Sequence, residues 1–285
     1  MKTSPSIALR LLLFISPLVA APAIASAPAM AATLAFSEAA FQFDNFSHSP
    51  YSVGTATNTN TLALVTGAAS STAASAAAIA YFVPDSAGNF SASSASGQGS
   101  SYLGVAQSLA QVVGNFLIGP GESFAFNFKA SLALASSVSA PPSERANAAG
   151  RIAFWLFGSS NGGPASLLDS FSAFGQVAAG GNNFLSWQSS GNISYMGSAK
   201  MYGTGTESFA SANFQGSYQR DFNSPTQLTL VEIKENQANV AVPEPSVPLA
   251  LPLSIFFVCL GWKARRKSAI VGQLDLTPIQ KDSSR

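Results

Sequence analysis

Large apolar residues alternate with small or polar ones through the middle of this chain. Over residues 123–134, Phe124, Phe126, Phe128, Leu132 and Leu134 recur at every second position, broken only at Ala130. That spacing lines one face of a long strand, because successive side chains of an extended backbone point to opposite sides. Similar alternation marks residues 41–46, 79–83, 151–157 and 228–233, and weaker runs lie near 62–65, 167–174, 193–202 and 209–218. Turns such as Asn161-Gly162-Gly163-Pro164 and Gly180-Gly181-Asn182-Asn183 separate them. Many strands divided by turns, with no convincing long amphipathic helix, predict an all-β fold: an antiparallel β-sandwich of jelly-roll or immunoglobulin-like type. The Ala/Ser tract at 67–80 reads as a strand with a close-packed small face or as a short crossing helix. The Ser-rich stretch at 91–101 reads as a mobile loop, and 236–241 as a short linker into which the last strand could run.

The apolar pattern changes character at both ends. Lys2 and Arg10 flank Leu11-Leu12-Leu13-Phe14-Ile15, and small residues follow through Ala32. This is the charged, apolar, small-residue order of a secretory signal peptide, expected over residues 1–31, with A-x-A sites at Ala23-Ile24-Ala25 and Ala29-Met30-Ala31. Pro17 and Pro22 interrupt the apolar stretch and argue against an uncleaved anchor. At the other end, residues 247–262 are apolar or small apart from Ser254, and roughly 16 residues of helix span about 24 Å. This falls slightly short of a hydrocarbon core of about 30 Å, a gap that Trp262 and the stems of Lys263 and Arg265 can close from the headgroup zone. The cations Lys263, Arg265, Arg266 and Lys267 place the following segment, 268–285, in the cytoplasm. A buried core helix with a solvated charge run is the competing reading, but the run has no polar face. The expected organisation is therefore a signal peptide, an exported β-sandwich over 32–241, a sorting segment over 242–267 and a cytoplasmic tail.

Val242-Pro243-Glu244-Pro245-Ser246 stands immediately before that apolar segment. The tripeptide, the apolar helix and the arginine-rich end, in that order, resemble the PEP-CTERM sorting signal of Gram-negative bacteria. The resemblance covers about 26 residues and says nothing of the family of the body. It implies an exosortase-type membrane protease as partner, processing near the P-E-P motif, and an envelope or biofilm-matrix setting rich in exopolysaccharide. One departure is the extension of about 18 residues past the basic cluster, where similar tails stop within a few.

Composition narrows what the body can do. Charged residues make up 9% of the chain. Between Thr33 and Ala241 about 16 of roughly 209 residues are charged, about ten acidic and six basic, far below the usual quarter. No cluster of Lys and Arg offers a nucleic-acid surface. The chain has one cysteine, Cys259 in the apolar tail, so no disulfide can form within the chain and the body must be held by packing and ladders.

Catalytic chemistry finds little purchase. A Ser-His-Asp triad has only His48 to draw on, in the turn-like Phe46-Ser47-His48-Ser49-Pro50-Tyr51. Asp44, Asp85, Glu122, Glu144, Asp169, Glu207, Asp221 and Glu232 are candidates for a glycosidase pair, but none stands in a distinguishing motif. Asp44-Asn45 and Arg220-Asp221-Phe222-Asn223 supply oxygen ligands for calcium without an EF-hand-type loop, and neither a metal nor another cofactor is expected. Gly203-Thr204-Gly205-Thr206-Glu207-Ser208 lacks the Lys of a phosphate loop and reads as a hairpin turn. Aromatic rings that could stack on sugars are Trp155, Trp187, Tyr195, Tyr202 and Tyr218. Trp155 reads as packing in or against the core, and Trp187 with Tyr195 as the candidate glycan-binding face. The sequence thus favours a non-enzymatic, surface-sorted structural or adhesive protein over the alternative, an anchored polysaccharide-acting hydrolase.

Overall fold

The computed structural model describes residues 32–66 and 70–242. The signal-peptide segment 1–31, the motif residues from Pro243 to Ser246, the apolar segment and the basic cluster lie outside the described residues. Those that are described form strands joined by turns, and among them no helix is long and apolar enough to cross a membrane.

The body is all-β, built from two six-stranded antiparallel sheets. The first contains β1 (Ala32–Asp44), β3 (Ser71–Val83), β4 (Ser86–Gln98), β6 (Glu122–Ser137), β10 (Ile193–Gly203) and β11 (Glu207–Phe222). The second contains β2 (Ser52–Val65), β5 (Tyr102–Ile118), β7 (Arg145–Ser160), β8 (Ser166–Ala178), β9 (Phe184–Ser189) and β12 (Thr226–Val242). Their spatial orders are β10-β11-β6-β1-β4-β3 and β2-β5-β12-β7-β8-β9. The chain thus crosses repeatedly from one sheet to the other. At Asn161 (φ 54°) and Gly162 (φ 72°) the β7–β8 hairpin turns through the left-handed region, which asparagine and glycine tolerate best.

The inner faces meet in a core of two textures. Around β1, β6, β7, β8 and β11 it is phenylalanine: Phe154 lies edge-on to Phe41, Phe126 and Phe128 and stacks on Phe171. Edge-to-face rings add to the burial of each large side chain. Around β3 and β4 most inner positions are Ala, Ser or Gly, as are Gly104, Ala106, Ser108 and Ala110 on β5, so the sheets come together closely. A Cβ at Gly104 would stand 2.8 Å from Thr72 Oγ1 and 3.5 Å from the Ala73 carbonyl of the opposite sheet.

Two sequence expectations are corrected here. Residues 91–101 are not a loop over most of their length, because β4 runs to Gln98 and is paired on both sides, with β1 and with β3. Its inward serines are satisfied across the sandwich, as Ser93 Oγ is 3.0 Å from Ser108 Oγ. Residues 236–241 are strand, since β12 continues to Val242 with Ala238 and Val240 buried between the sheets. The 67–80 tract resolves into strand from Ser71, its alternate residues facing inward.

Candidate functional site

Trp187 on β9 and Tyr195 on β10 occupy the far edge of the sandwich, one in each sheet. Their register sets their direction: Trp187 pairs with buried Ala173, and Tyr195 with Gly216, so both rings lie on inner faces. They converge on Phe214, at 5.6 Å and 6.0 Å between centroids, and Tyr195 also meets Phe171 at 5.7 Å. Trp187 keeps 43% of its surface exposed, whereas Tyr195 is half-buried behind it. The edge therefore offers one open indole backed by a wall of rings. The other aromatics divide. Tyr202 is exposed and stacked on Phe209, Trp155 stands on the outer side of its sheet under the Arg151 guanidinium at 5.3 Å, and Tyr218 is fully buried and unavailable to any ligand. The sequence expectation of Tyr218 as a reachable ring is corrected by its burial.

Behind that edge lies a buried carboxylate. Asp169 on β8 accepts Ser190 Oγ at 2.8 Å, Asn192 Nδ2 at 3.1 Å, Tyr218 OH at 3.0 Å and Arg220 Nη1 at 3.0 Å. These donors tie the β9–β10 turn and β11 to β8. Burial raises the Tyr218 phenol well beyond its ordinary range, and the negative charge of Asp169 raises it further. Arg220 and Asp221 line a shallow polar cleft with Asn223, Ser160 and Ser166. Asp221 accepts a hydrogen bond from Ser123 there.

His48 does find partners. Its Nδ1 is 2.9 Å from Ser47 Oγ and its Nε2 is 3.1 Å from Glu122 Oε2, a serine-histidine-carboxylate line. Ser47 Oγ, however, also accepts the Ala125 amide and reaches the Ser123 carbonyl, which binds it to the end of β6. Glu122 accepts the Gly119 amide at 2.6 Å, and that bond, with His48, holds its carboxyl below the usual range. The arrangement fastens the β1–β2 loop to the β5–β6 turn, and its serine is already committed.

The most unusual chemistry is in the middle of the sandwich. On β12 the inward stripe runs Leu228, Leu230, Glu232, Lys234, Asn236, Ala238, Val240, and Glu232 and Lys234 are both 0% exposed. Lys234 Nζ donates to Glu232 Oε1 at 2.7 Å and lies 5.2 Å from the Phe41 ring centre. Asn89 Nδ2, on β4 of the facing sheet, donates to Glu232 Oε2. Asn236 Nδ2 reaches Ser91 Oγ at 2.5 Å, and Ser37 Oγ donates to Asn236 Oδ1 at 2.6 Å. Asn89 Oδ1 alone in this seam has no hydrogen-bond partner. Desolvation dominates both ionisable groups: it pulls Lys234 down to about 8 against the pull of Glu232, and pushes Glu232 up against Lys234 and Asn89. Sequence reading missed this site except for Glu232. The available signal was phase, since continuing the spacing from Leu228 and Leu230 places Glu232, Lys234 and Asn236 on the core side.

Of the sorting motif only Val242 is described, where it ends β12 opposite Tyr102. Among the described residues no group of three or more His, Cys, Asp or Glu side chains is arranged to hold a metal ion. No protein-family model, curated protein or solved structure matches the chain.

Proposed function

We propose that the chain is an exported, non-enzymatic protein of the cell envelope or extracellular matrix, sorted by a PEP-CTERM-type tail and associated with exopolysaccharide in a structural or adhesive role. The observation that carries this reading is the junction at Val242. The last core strand ends there, and Pro243 opens the P-E-P tripeptide directly, so the tail is attached to a strand bonded on both sides, to β5 and β7. The repeated crossing of the chain between sheets favours a jelly-roll-type sandwich over an immunoglobulin-like one. Exopolysaccharide would meet the open indole of Trp187, which packs on Phe214, itself packed on Tyr195.

The hydrolase alternative requires two carboxylates about 5 to 10 Å apart across one groove. The polar cleft beside Arg220 is lined by a single carboxylate, Asp221, and Asp169 behind it is saturated by its donors.

Replacing Pro243, Glu244 and Pro245 by alanine should leave export intact while the tail stays uncut, read by immunoblot of envelope and medium. Unaltered processing would remove the sorting mechanism. Trp187→Ala should cut retention on the producer's own polysaccharide at least severalfold with the fold preserved by circular dichroism, since stacking contributes on the order of 1 kcal/mol per ring. Equal retention would remove the glycan contact.

A further inference from the structure

We infer that Lys234 and Asn89 join through an intramolecular amide bond, Nζ to Cγ, formed in the closed core with Glu232 as the proton carrier. The bond would link β12 to β4 and so lock one sheet to the other.

The argument begins with placement. A lysine and a glutamate at 0% exposure are costly, and a core this dry normally excludes them. Here they are not isolated, because one carboxylate holds the amine on Oε1 and the asparagine amide on Oε2. The two nitrogens are therefore brought to opposite oxygens of a single carboxylate, so that amine and amide meet the same proton carrier in one closed seam. Such fixed proximity is what raises the effective concentration of a weak nucleophile against an unreactive amide. Asn236, the other asparagine of the seam, is bonded at both ends and has no freedom to react. Asn89 Oδ1 is free, and a half-turn of the amide about Cβ–Cγ delivers it to the Glu232 carboxyl.

Burial sets the protonation the reaction needs. It draws Lys234 towards the neutral amine and Glu232 towards the neutral acid, so the proton of the ion pair passes from Nζ to the carboxylate. The lone pair of Nζ then attacks Cγ, the carbonyl electron pair moves to Oδ1, and Oδ1 takes the proton of Glu232. The carboxylate next removes a proton from Nζ and passes it to Nδ2. The Cγ–Nδ2 bond breaks, its electron pair leaving with ammonia, and the Oδ1 proton returns to Glu232. One amide and one ammonia are produced from one amine and one amide; Glu232 is then the neutral acid, and ammonia takes that proton and leaves as ammonium, which restores the carboxylate. No oxidant, metal or nucleotide is required. Water, which would compete for Cγ, is excluded by the Phe41 ring and the closed sheets. The product supplies a covalent tie that a body without cysteine cannot obtain from disulfides.

The test is denaturing intact mass of the purified full chain, followed by protease digestion and fragmentation. The expected result is a mass one ammonia below that of the same polypeptide span, and a branched peptide joining the fragment with Asn89 to the fragment with Lys234. Lys234→Arg and Glu232→Gln should restore the full mass and give separate linear fragments. Full mass with linear fragments in the folded wild-type chain overturns the proposal. A loss of ammonia with only linear fragments also overturns it, since that signature belongs to a cyclised asparagine. A cross-link that forms fully in Glu232→Gln overturns the role of Glu232. None of these readouts depends on the tail, so failure of sorting and failure of the bond are separate results.

Discussion

Glu232 and Asp169 show how one residue type takes different work from its surroundings. Glu232 sits in a dry seam with a single cation for company, and desolvation pushes it towards the neutral acid. Asp169 accepts bonds from a hydroxyl, an amide, a phenol and a guanidinium at the edge of the core. Tyr218 reports on the second site. Its raised phenol stays protonated in the fold while the unfolded phenol ionises near pH 10, so the stability it contributes is complete below about pH 10 and declines as pH rises further. Asp169→Asn removes the charge that helps raise it, so the Tyr218 titration followed by phenolate absorbance should move down in pH and the alkaline loss of stability should become shallower. An unchanged titration would mean that burial alone raises it. At this scale the sequence was only partly legible: Glu232 could be named as a carboxylate, but its partner Asn89 lies on another strand, and no spacing in the sequence links the two.

Strands were legible where their inner residues are large. β6 and β7 declare themselves through Phe124, Phe126, Phe128 and Phe154, because only a buried face accommodates rings at every second position. β4 and β5 escaped because their inner faces are small: Ser91, Ser93 and Ala95 on one, Gly104, Ala106, Ser108 and Ala110 on the other. Small side chains carry little hydrophobic contrast, yet here they are the reason the sheets approach so closely. Gly150 on β7 tests that closeness next to the polar seam. A methyl there would stand 2.5 Å from Leu132 Cδ1, 2.9 Å from Asn236 Oδ1 and 2.9 Å from Ser37 Oγ. Gly150→Ala should therefore destabilise the fold by about 1–3 kcal/mol in urea unfolding, the usual cost of overpacking. A change below about 0.5 kcal/mol, the size of an ordinary surface substitution, would show that the two sheets can separate there freely.

For the molecule as a whole, low charge and the absence of cysteine throughout the body point the same way. A body with about 16 charges takes its surface polarity from Ser, Thr and Asn, and it is held together by packing, ladders and, on our inference, one amide bond. The two-sheet plan was legible from turns and alternation, whereas the strand order was not, because pairing across the sandwich is set by inner-face volume that no single strand reveals. The central claim is that this body is carried out of the cell by one end and released or handed on at the other. Intact mass of the mature protein recovered from envelope and medium tests it most directly. The account predicts a chain that begins between Ser26 and Thr33 and ends in the P-E-P region. A chain retained through Arg285 would contradict it, leaving a single-span anchor and no route to the matrix.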